Sequence, residues 1–394
     1  MGPTPKKINL IASTVSEAEN LLPYLLSQKA LGLPISLLHG LPLTPSTLPR
    51  LAHLARQLGP NSVGLFVDHP SHIQILNSQP PSAWAGQSIP VYVKIDTGYH
   101  RAGVTAESAQ LADLAYALAA SERAHVAGFY AHMGHSYGVG GVEEAVEFLG
   151  EEVRGLEEAA VAFLKCAGAR KGQGAEGKVC LSLGATPTAT AAQNFLLGEG
   201  AKQGGKVGEV RELIEKVNRS FEVELHAGVY PVMDLQQMAT RARPRFVDGR
   251  PEDSRLSYRD LGLRMLVEVA STYDERAKPE AVIAAGSIVL GREPCKSYSG
   301  FGVVTPFPAK EGGFYDPEGD RTGWIVGRVS QEHGILTWEG PPEQRRKLEI
   351  GEKLLVWPNH ACIAGVNFGW YLIVDSDSED PDLVQDVWIR WRGW

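Results

Sequence analysis

Val126-Ala127-Gly128-Phe129-Tyr130-Ala131-His132-Met133-Gly134-His135 is an apolar run that breaks off into histidine and glycine, and Val142 to Cys166 behind it places apolar side chains at helical spacing. A strand-like run followed by an amphipathic helix is one βα unit. The unit recurs. Runs of the same kind stand at Ile8 to Ala12, Ile35 to Leu38, Val63 to Val67, Val91 to Ile95, Val179 to Leu183 and Phe221 to Leu225, with helical stretches such as Val15 to Gln28 and Thr105 to Ala120 between them. Alternating strands and helices predict a parallel sheet, and near-continuous apolar strands predict one covered on both faces. Seven units are legible.

Polar residues gather at the C-terminal ends of these strands: Ser13-Thr14, His39, Asp68, Asp96-Thr97-Gly98, His132-Met133-Gly134-His135, Gly184-Ala185-Thr186-Pro187-Thr188 and His226-Ala227-Gly228. In a (β/α)-barrel that edge carries the active site. Some of them have a purely structural alternative. Ser13-Thr14 serves equally well as a helix N-cap, and Asp96 as a turn residue.

Beyond about Pro244 the pattern changes to short strands with turn signals, at Arg264 to Ser271, Ala281 to Leu290, Trp324 to Val329, Lys353 to Trp357, Ile363 to Val374 and Val387 to Trp391. This predicts an antiparallel β-domain and a division into residues 1–243 and 244–394. Trp324, Trp338, Trp357, Trp370, Trp388, Trp391 and Trp394 fall in the second part and are expected in core and interface packing. Cys166 to Lys178 and Gly198 to Gly208, rich in Gly, Lys and Ala, read as surface insertions.

Composition narrows the function classes. A net charge of −8 argues against nucleic acid or an anionic membrane as partner. No apolar run reaches membrane-spanning length and Met1 to Lys7 lacks the core of a signal peptide, so a cytoplasmic location is expected. The four cysteines are scattered, which predicts free thiols.

Two motifs carry chemistry. His360 and Cys362, in Pro358-Asn359-His360-Ala361-Cys362, look like half a zinc site, since two borderline-to-soft ligands one residue apart can share one ion and leave positions open, and a buried Cys beside an incidental His satisfies the same residues. Gly184-Ala185-Thr186-Pro187-Thr188 follows a strand and opens a helical stretch, so its backbone N–H groups and two Thr hydroxyls could cradle a phosphate. A capped helix start with Pro in its first turn satisfies the same residues.

Tyr130 to Tyr137, Leu183 to Thr188, Glu224 to Tyr230 with Asp234, Ser330 to Gly334 and Pro358 to Cys362 together resemble, in order and over nearly the whole chain from about Ile8, the eukaryotic D-serine dehydratases. These are pyridoxal-phosphate enzymes of the alanine racemase-like fold, with D-threonine aldolases as relatives. The resemblance implies a (β/α)8-type barrel plus β-domain, pyridoxal 5'-phosphate (PLP), Zn²⁺, a small D-amino acid substrate and a homodimer. It implies His360 and Cys362 as zinc ligands. The cysteine separates this chain from the aldolases, which tend to carry the harder ligand Asp there. It also implies Tyr130 and His132 beside the cofactor ring, Tyr137 and Thr186 at its phosphate, Gly228 and Tyr230 lining the same end, and a site-proximal place for Ser330 to Gly334. The activity implied is dehydration of D-serine to pyruvate and ammonia, with aldolase-type cleavage of β-hydroxy D-amino acids as the alternative.

One departure stands out. The family holds PLP on a lysine ending the first barrel strand, in a His-x-Lys-Thr-His-Lys-like segment that these residues do not contain. Ile8 to Glu19 already resembles the second βα unit, which agrees with the count of seven. The expectation is an N-terminally incomplete sequence of an active enzyme, with a silent homologue that retains a zinc or phosphate pocket as competitor. Lys6 and Lys7 precede a strand and Lys94 lies inside one, so no Schiff-base lysine is nominated.

Overall fold

The computed structural model describes residues 7–168, 178–197, 205–247, 250–252, 256–308 and 314–391. The chain divides into two compact units, one of residues 1–136 and 146–226 with the last four residues, the other of residues 137–145 and 227–390. The two stretches read as insertions lie largely outside the described residues.

In the first unit β1 (Ile8–Ala12), β2 (Ile35–Pro42), β3 (Val63–Val67), β4 (Ile89–Lys94), β5 (Ala124–Tyr130), β6 (Cys180–Leu183) and β7 (Glu222–Leu225) form one parallel sheet in sequence order. Between them lie α1 (Val15–Ala30), α2 (Leu48–Leu58), α3 (Pro70–Asn77), α4 (Ala109–Ala119), α5 (Val142–Cys166), α6 (Thr186–Ala191) and α7 (Lys206–Val217). The sheet curls until its edges nearly meet, for the Asn9 amide on β1 donates to the Glu224 carboxylate on β7. Side chains alternate across it. Leu38, Phe66, Tyr92, Tyr130 and Cys180 point inward and form one buried cluster. Phe129, the neighbour of Tyr130 along β5, faces outward instead, edge-on to Phe163 of α5 at 5.3 Å.

Alternation explains the glycines of the concave side. A Cβ at Gly128 would lie 2.5 Å from the Tyr92 ring, which crosses the strand there. Both structural alternatives noted above also hold. Thr14 caps α1 in a reciprocal box with Glu17, and Asp96 Oδ1 accepts from the N–H groups of Gly98 and His100.

In the second unit β10 (Met265–Tyr273), β11 (Glu280–Ile283), β12 (Gly302–Pro306), β13 (Gly323–Val329), β14 (Gly334–Glu339) and β15 (Lys353–Pro358) close into a barrel in the order β10-β11-β14-β13-β12-β15. The short pair β8 (Arg245–Val247) and β9 (Arg250–Glu252) precedes it and the hairpin of β16 (Trp370–Val374) and β17 (Val384–Ile389) follows. The helices α8 (Leu235–Thr240), α9 (Ser287–Leu290) and α10 (Ala361–Gly365) lie in this unit.

Several sequence expectations need correction in this unit. The run Ala281 to Leu290 divides into β11 and α9, where the backbone turns at Gly286, whose Cβ would meet the Ser330 carbonyl oxygen at 2.4 Å. The run Ile363 to Val374 divides into α10 and β16. Strands β12 and β14 were not expected, yet they contribute Val304, Leu336 and Trp338 to the barrel core. Trp324, Trp338 and Trp357 are buried as expected, whereas Trp370, Trp388 and Trp391 are 45–59% exposed. No helix among the described residues is long and apolar enough to cross a membrane.

Replacing Gly128 with alanine forces the Tyr92 ring out of place, and overpacking of this kind costs about 1–3 kcal/mol. Denaturant unfolding of Gly128→Ala is expected to show that loss, and only partial relief when Tyr92→Leu is added, because the Cβ would also lie 2.7 Å from the Cys180 carbonyl oxygen.

Candidate active site

The C-terminal ends of β4, β5 and β7 bring a polar and aromatic set together on the concave side. Tyr130 ends β5, and His132, two places on, lies on the same side. The His226 ring is stacked on Tyr130 at 4.2 Å and 7°, and lies 6.4 Å from and nearly parallel to His132. Phe66 leans on the Tyr130 ring at 4.4 Å. Lys94, the last residue of β4, places Nζ 5.2 Å from the Tyr130 ring centroid.

Hydrogen bonds fix both tautomers. His132 Nδ1 lies 3.0 Å from the Gly184 carbonyl oxygen, which only accepts, so Nδ1 carries the proton. Ser182 spends its single hydroxyl proton on Glu224, so it accepts from His226 Nδ1 at 3.0 Å. Nε2 of each ring is then an acceptor, and that of His226 is buried with no hydrogen-bond partner. Burial, with the Arg101 and Lys94 charges, pushes His132 down to about 4, and burial, with His132 and Lys94, pushes His226 down to about 3. Both rings are neutral at pH 7.

The loop after β6 is held from beneath by Glu152 of α5, a carboxylate that is 0% exposed. Its Oε1 accepts from Gly184 N–H at 3.1 Å and its Oε2 from the Thr188 hydroxyl at 3.2 Å, and Met133 N–H also donates to it. One side chain thus ties the loops after β5 and β6 together. Gly184 adopts φ +137°, and a Cβ there would lie 2.3 Å from the His226 carbonyl oxygen. Thr188 departs from the cradle expected of the two threonines, because its hydroxyl is committed to Glu152 and accepts from Ala185 N–H. Thr186 is buried on the same loop.

The second unit holds the metal-ligand candidates. His360 is the N-cap residue of α10, and Cys362 lies two places on, exposed and in no disulfide. Asn359 fixes the turn before them, with its amide donating to the Glu293 and Gly300 carbonyls and its oxygen accepting from the Tyr298 hydroxyl. His360 Nδ1 is 2.6 Å from Gln236 Oε1, an arrangement that protonates Nδ1 and leaves Nε2 as the ring's acceptor. Buried Asp234 supports the pair by accepting from Gln237 and Ala361 N–H groups. Among the described residues no group of three or more His, Cys, Asp or Glu is placed to hold a metal ion. Tyr137 also belongs to this unit, its ring 6.1 Å from His360, as do Gly228 and half-exposed Tyr230. Ser330 to Gly334 forms the turn between β13 and β14, closed by Ser330 N–H on the His333 carbonyl.

Three residues of the concave set escaped selection from sequence. His226 was noted only as a strand end. Lys94 was placed inside its strand, one residue short of the end. Glu152 hides in an acidic helix, yet Ala145, Leu149, Glu152 and Leu156 follow helical spacing along the buried face, and that spacing is a readable signal.

Comparison with known proteins gives the family. Residues 9–198 match the family model "Alanine racemase, N-terminal domain" and residues 262–374 match "Putative serine dehydratase domain". The chain is 32% identical to the D-serine dehydratase of Schizosaccharomyces pombe over 395 residues, covering 98% of this chain and 79% of that protein. The chain belongs to the D-serine dehydratase family. The Saccharomyces cerevisiae D-serine dehydratase is likewise 32% identical over 391 residues, covering 98% of this chain and 81% of its own length. Among solved structures, a D-threo-3-hydroxyaspartate dehydratase, a cysteine-to-alanine mutant in the metal-free form, shares the fold with TM-score 0.67 at 23% identity, over 98% of this chain and 84% of its own. The family places the chain among the lyases.

Burial raises the Glu152 carboxyl to about 7 from an ordinary 4.5, against the pull of its donors. A carboxyl whose folded value is raised contributes stability below its unfolded value and loses it as pH rises through the folded one. The stability of the wild type relative to Glu152→Gln is therefore expected to fall between about pH 4.5 and 7, as read from urea titrations at each pH. Glu152→Ala is expected to be worse at every pH, costing about 1–3 kcal/mol for each buried donor left unpaired.

Proposed function

We propose that this family member dehydrates D-serine to pyruvate and ammonia with PLP and Zn²⁺. In this reading residues 1–243 bind the cofactor, residues 244–394 carry the metal ligands, and the working protein is a cytoplasmic homodimer. The observation that carries it is the stack of Tyr130, His226 and His132 at the C-terminal edge of an alanine racemase-like sheet. The orphaned Nε2 of His226 suits a flat heteroaromatic group bearing a donor. The nitrogen and sulfur of His360 and Cys362 suit zinc and supply two of its four positions. The histidine and cysteine altered in separate mutants of the hydroxyaspartate dehydratase are likewise two places apart, which supports the pairing.

When bound, PLP supplies an electron sink for charge at the substrate Cα and Zn²⁺ a Lewis acid for the departing hydroxyl. The chain's own residues do the rest. Tyr130 and Phe66 keep water from the floor of the site. Neutral His132 and His226 present acceptor nitrogens without adding positive charge. Glu152 holds the Gly184–Thr188 loop in the shape that presents Thr186 to the phosphate. Gln236 fixes the His360 tautomer.

The test is pyruvate formation from D-serine by the purified chain supplied with PLP and Zn²⁺. Pyruvate that disappears on chelation and returns with zinc is the expected result. Glycine with an aldehyde, or no turnover at all, contradicts it. Cys362→Ala is expected to lose stoichiometric zinc by metal analysis while its unfolding midpoint stays nearly unchanged, because the side chain is exposed.

A further inference from the structure

Strand β7 carries an acidic side chain on the same side as His226, for Glu224 precedes that histidine by two places. Its hydrogen-bond partners are neutral donors: the Ser182 hydroxyl reaches Oε1 at 2.9 Å and the Asn9 amide reaches Oε2. Burial raises this carboxyl above its ordinary value, while the Ser182 hydroxyl, the Lys7 charge and the Asn9 amide pull the other way. A carboxylate held on neutral donors is a costly way to fill a sheet interior. Its use lies one step further along the chain of hydrogen bonds. Ser182 is 0% exposed and owns a single hydroxyl proton, which it gives to Glu224, so towards His226 Nδ1 at 3.0 Å its oxygen can only accept. The imidazole therefore keeps its proton on Nδ1. Left to itself the ring can protonate either nitrogen, and the Gly184 carbonyl, which already accepts from His132, competes for that proton. The Ser182–Glu224 pair opposes it, and Nε2 is left buried as an acceptor with no partner.

We propose that Glu224 is a positioning residue: acting through Ser182, it holds the His226 ring proton on Nδ1 and so presents Nε2 to the concave side as an acceptor for a donor on the bound cofactor. In this role Glu224 acts without touching the bound group. The inference rests on the cofactor reading given above, and its test separates the two.

The full chain, isotopically labelled at the histidine nitrogens, is studied at neutral pH without cofactor by long-range proton–nitrogen correlation, with His226→Gln identifying the signals of that ring. A protonated Nδ1 and a bare Nε2 are expected in the wild type. Ser182→Ala and Glu224→Leu should each shift the proton towards Nε2, whereas Glu224→Gln, whose side-chain oxygen still accepts from Ser182, should keep the wild-type pattern. Retention of PLP after ultrafiltration should fall about tenfold in the two disrupting variants, the effect of one lost hydrogen bond, and hold in Glu224→Gln. A proton on Nε2 in the wild type, or a ring pattern that neither disrupting variant moves, overturns the inference. Unchanged PLP retention in a variant whose ring proton has moved overturns it equally. A wild type that retains no PLP overturns the cofactor reading and, with it, the role of Nε2 towards that cofactor, while the ring signals alone decide the hold of Glu224 on the tautomer.

Discussion

Parallel strands all end at the same edge, and the site of the first unit depends on that constraint. Consecutive Cβ atoms alternate, so a residue two places past an inward apolar side chain is also inward, and the polar residues following each strand converge. Tyr92 and Lys94 on β4, Tyr130 on β5 with His132 just past it, and Ser182 on β6 with Glu224 on β7 and His226 just past it obey this rule. The curl brings these strands around one interior, as the Asn9–Glu224 contact between the two edges records. Gly128 and Gly184 are the local conditions for it, one admitting the Tyr92 ring and the other the His226 carbonyl.

Burial then sets the chemistry of this interior. It drives four of its groups toward their neutral forms: the two imidazoles lose their protons, the Lys94 ammonium gives up its proton more readily, and Glu152 holds its proton to near neutrality. The result is a set of hydrogen-bonding groups that carries little fixed charge. Glu152 does the organising, because its oxygens are filled by donors from two loops that are far apart in sequence but adjacent at the sheet edge.

Much of this was legible in the sequence. The seven parallel strands were all placed, though β2 was read only from Ile35 to Leu38 and runs on to Pro42, since most of them are continuous apolar runs. The β-domain was harder. Its strands are short and interrupted by glycine, so β12 and β14 passed unnoticed and two apolar runs proved to be a strand and a helical turn. At the site, motif residues were visible because they end strands, whereas Lys94 and Glu152 depend on which face an element buries. Periodicity hints at that in α5, and only the packed structure decides it.

The most direct test of the account is a crystal structure of the chain grown with PLP. The account predicts the pyridine ring on the concave side of the parallel sheet, against His132 and His226, with the phosphate at the loop bearing Thr186. Cofactor density at any other place, or none on the concave side, would contradict it.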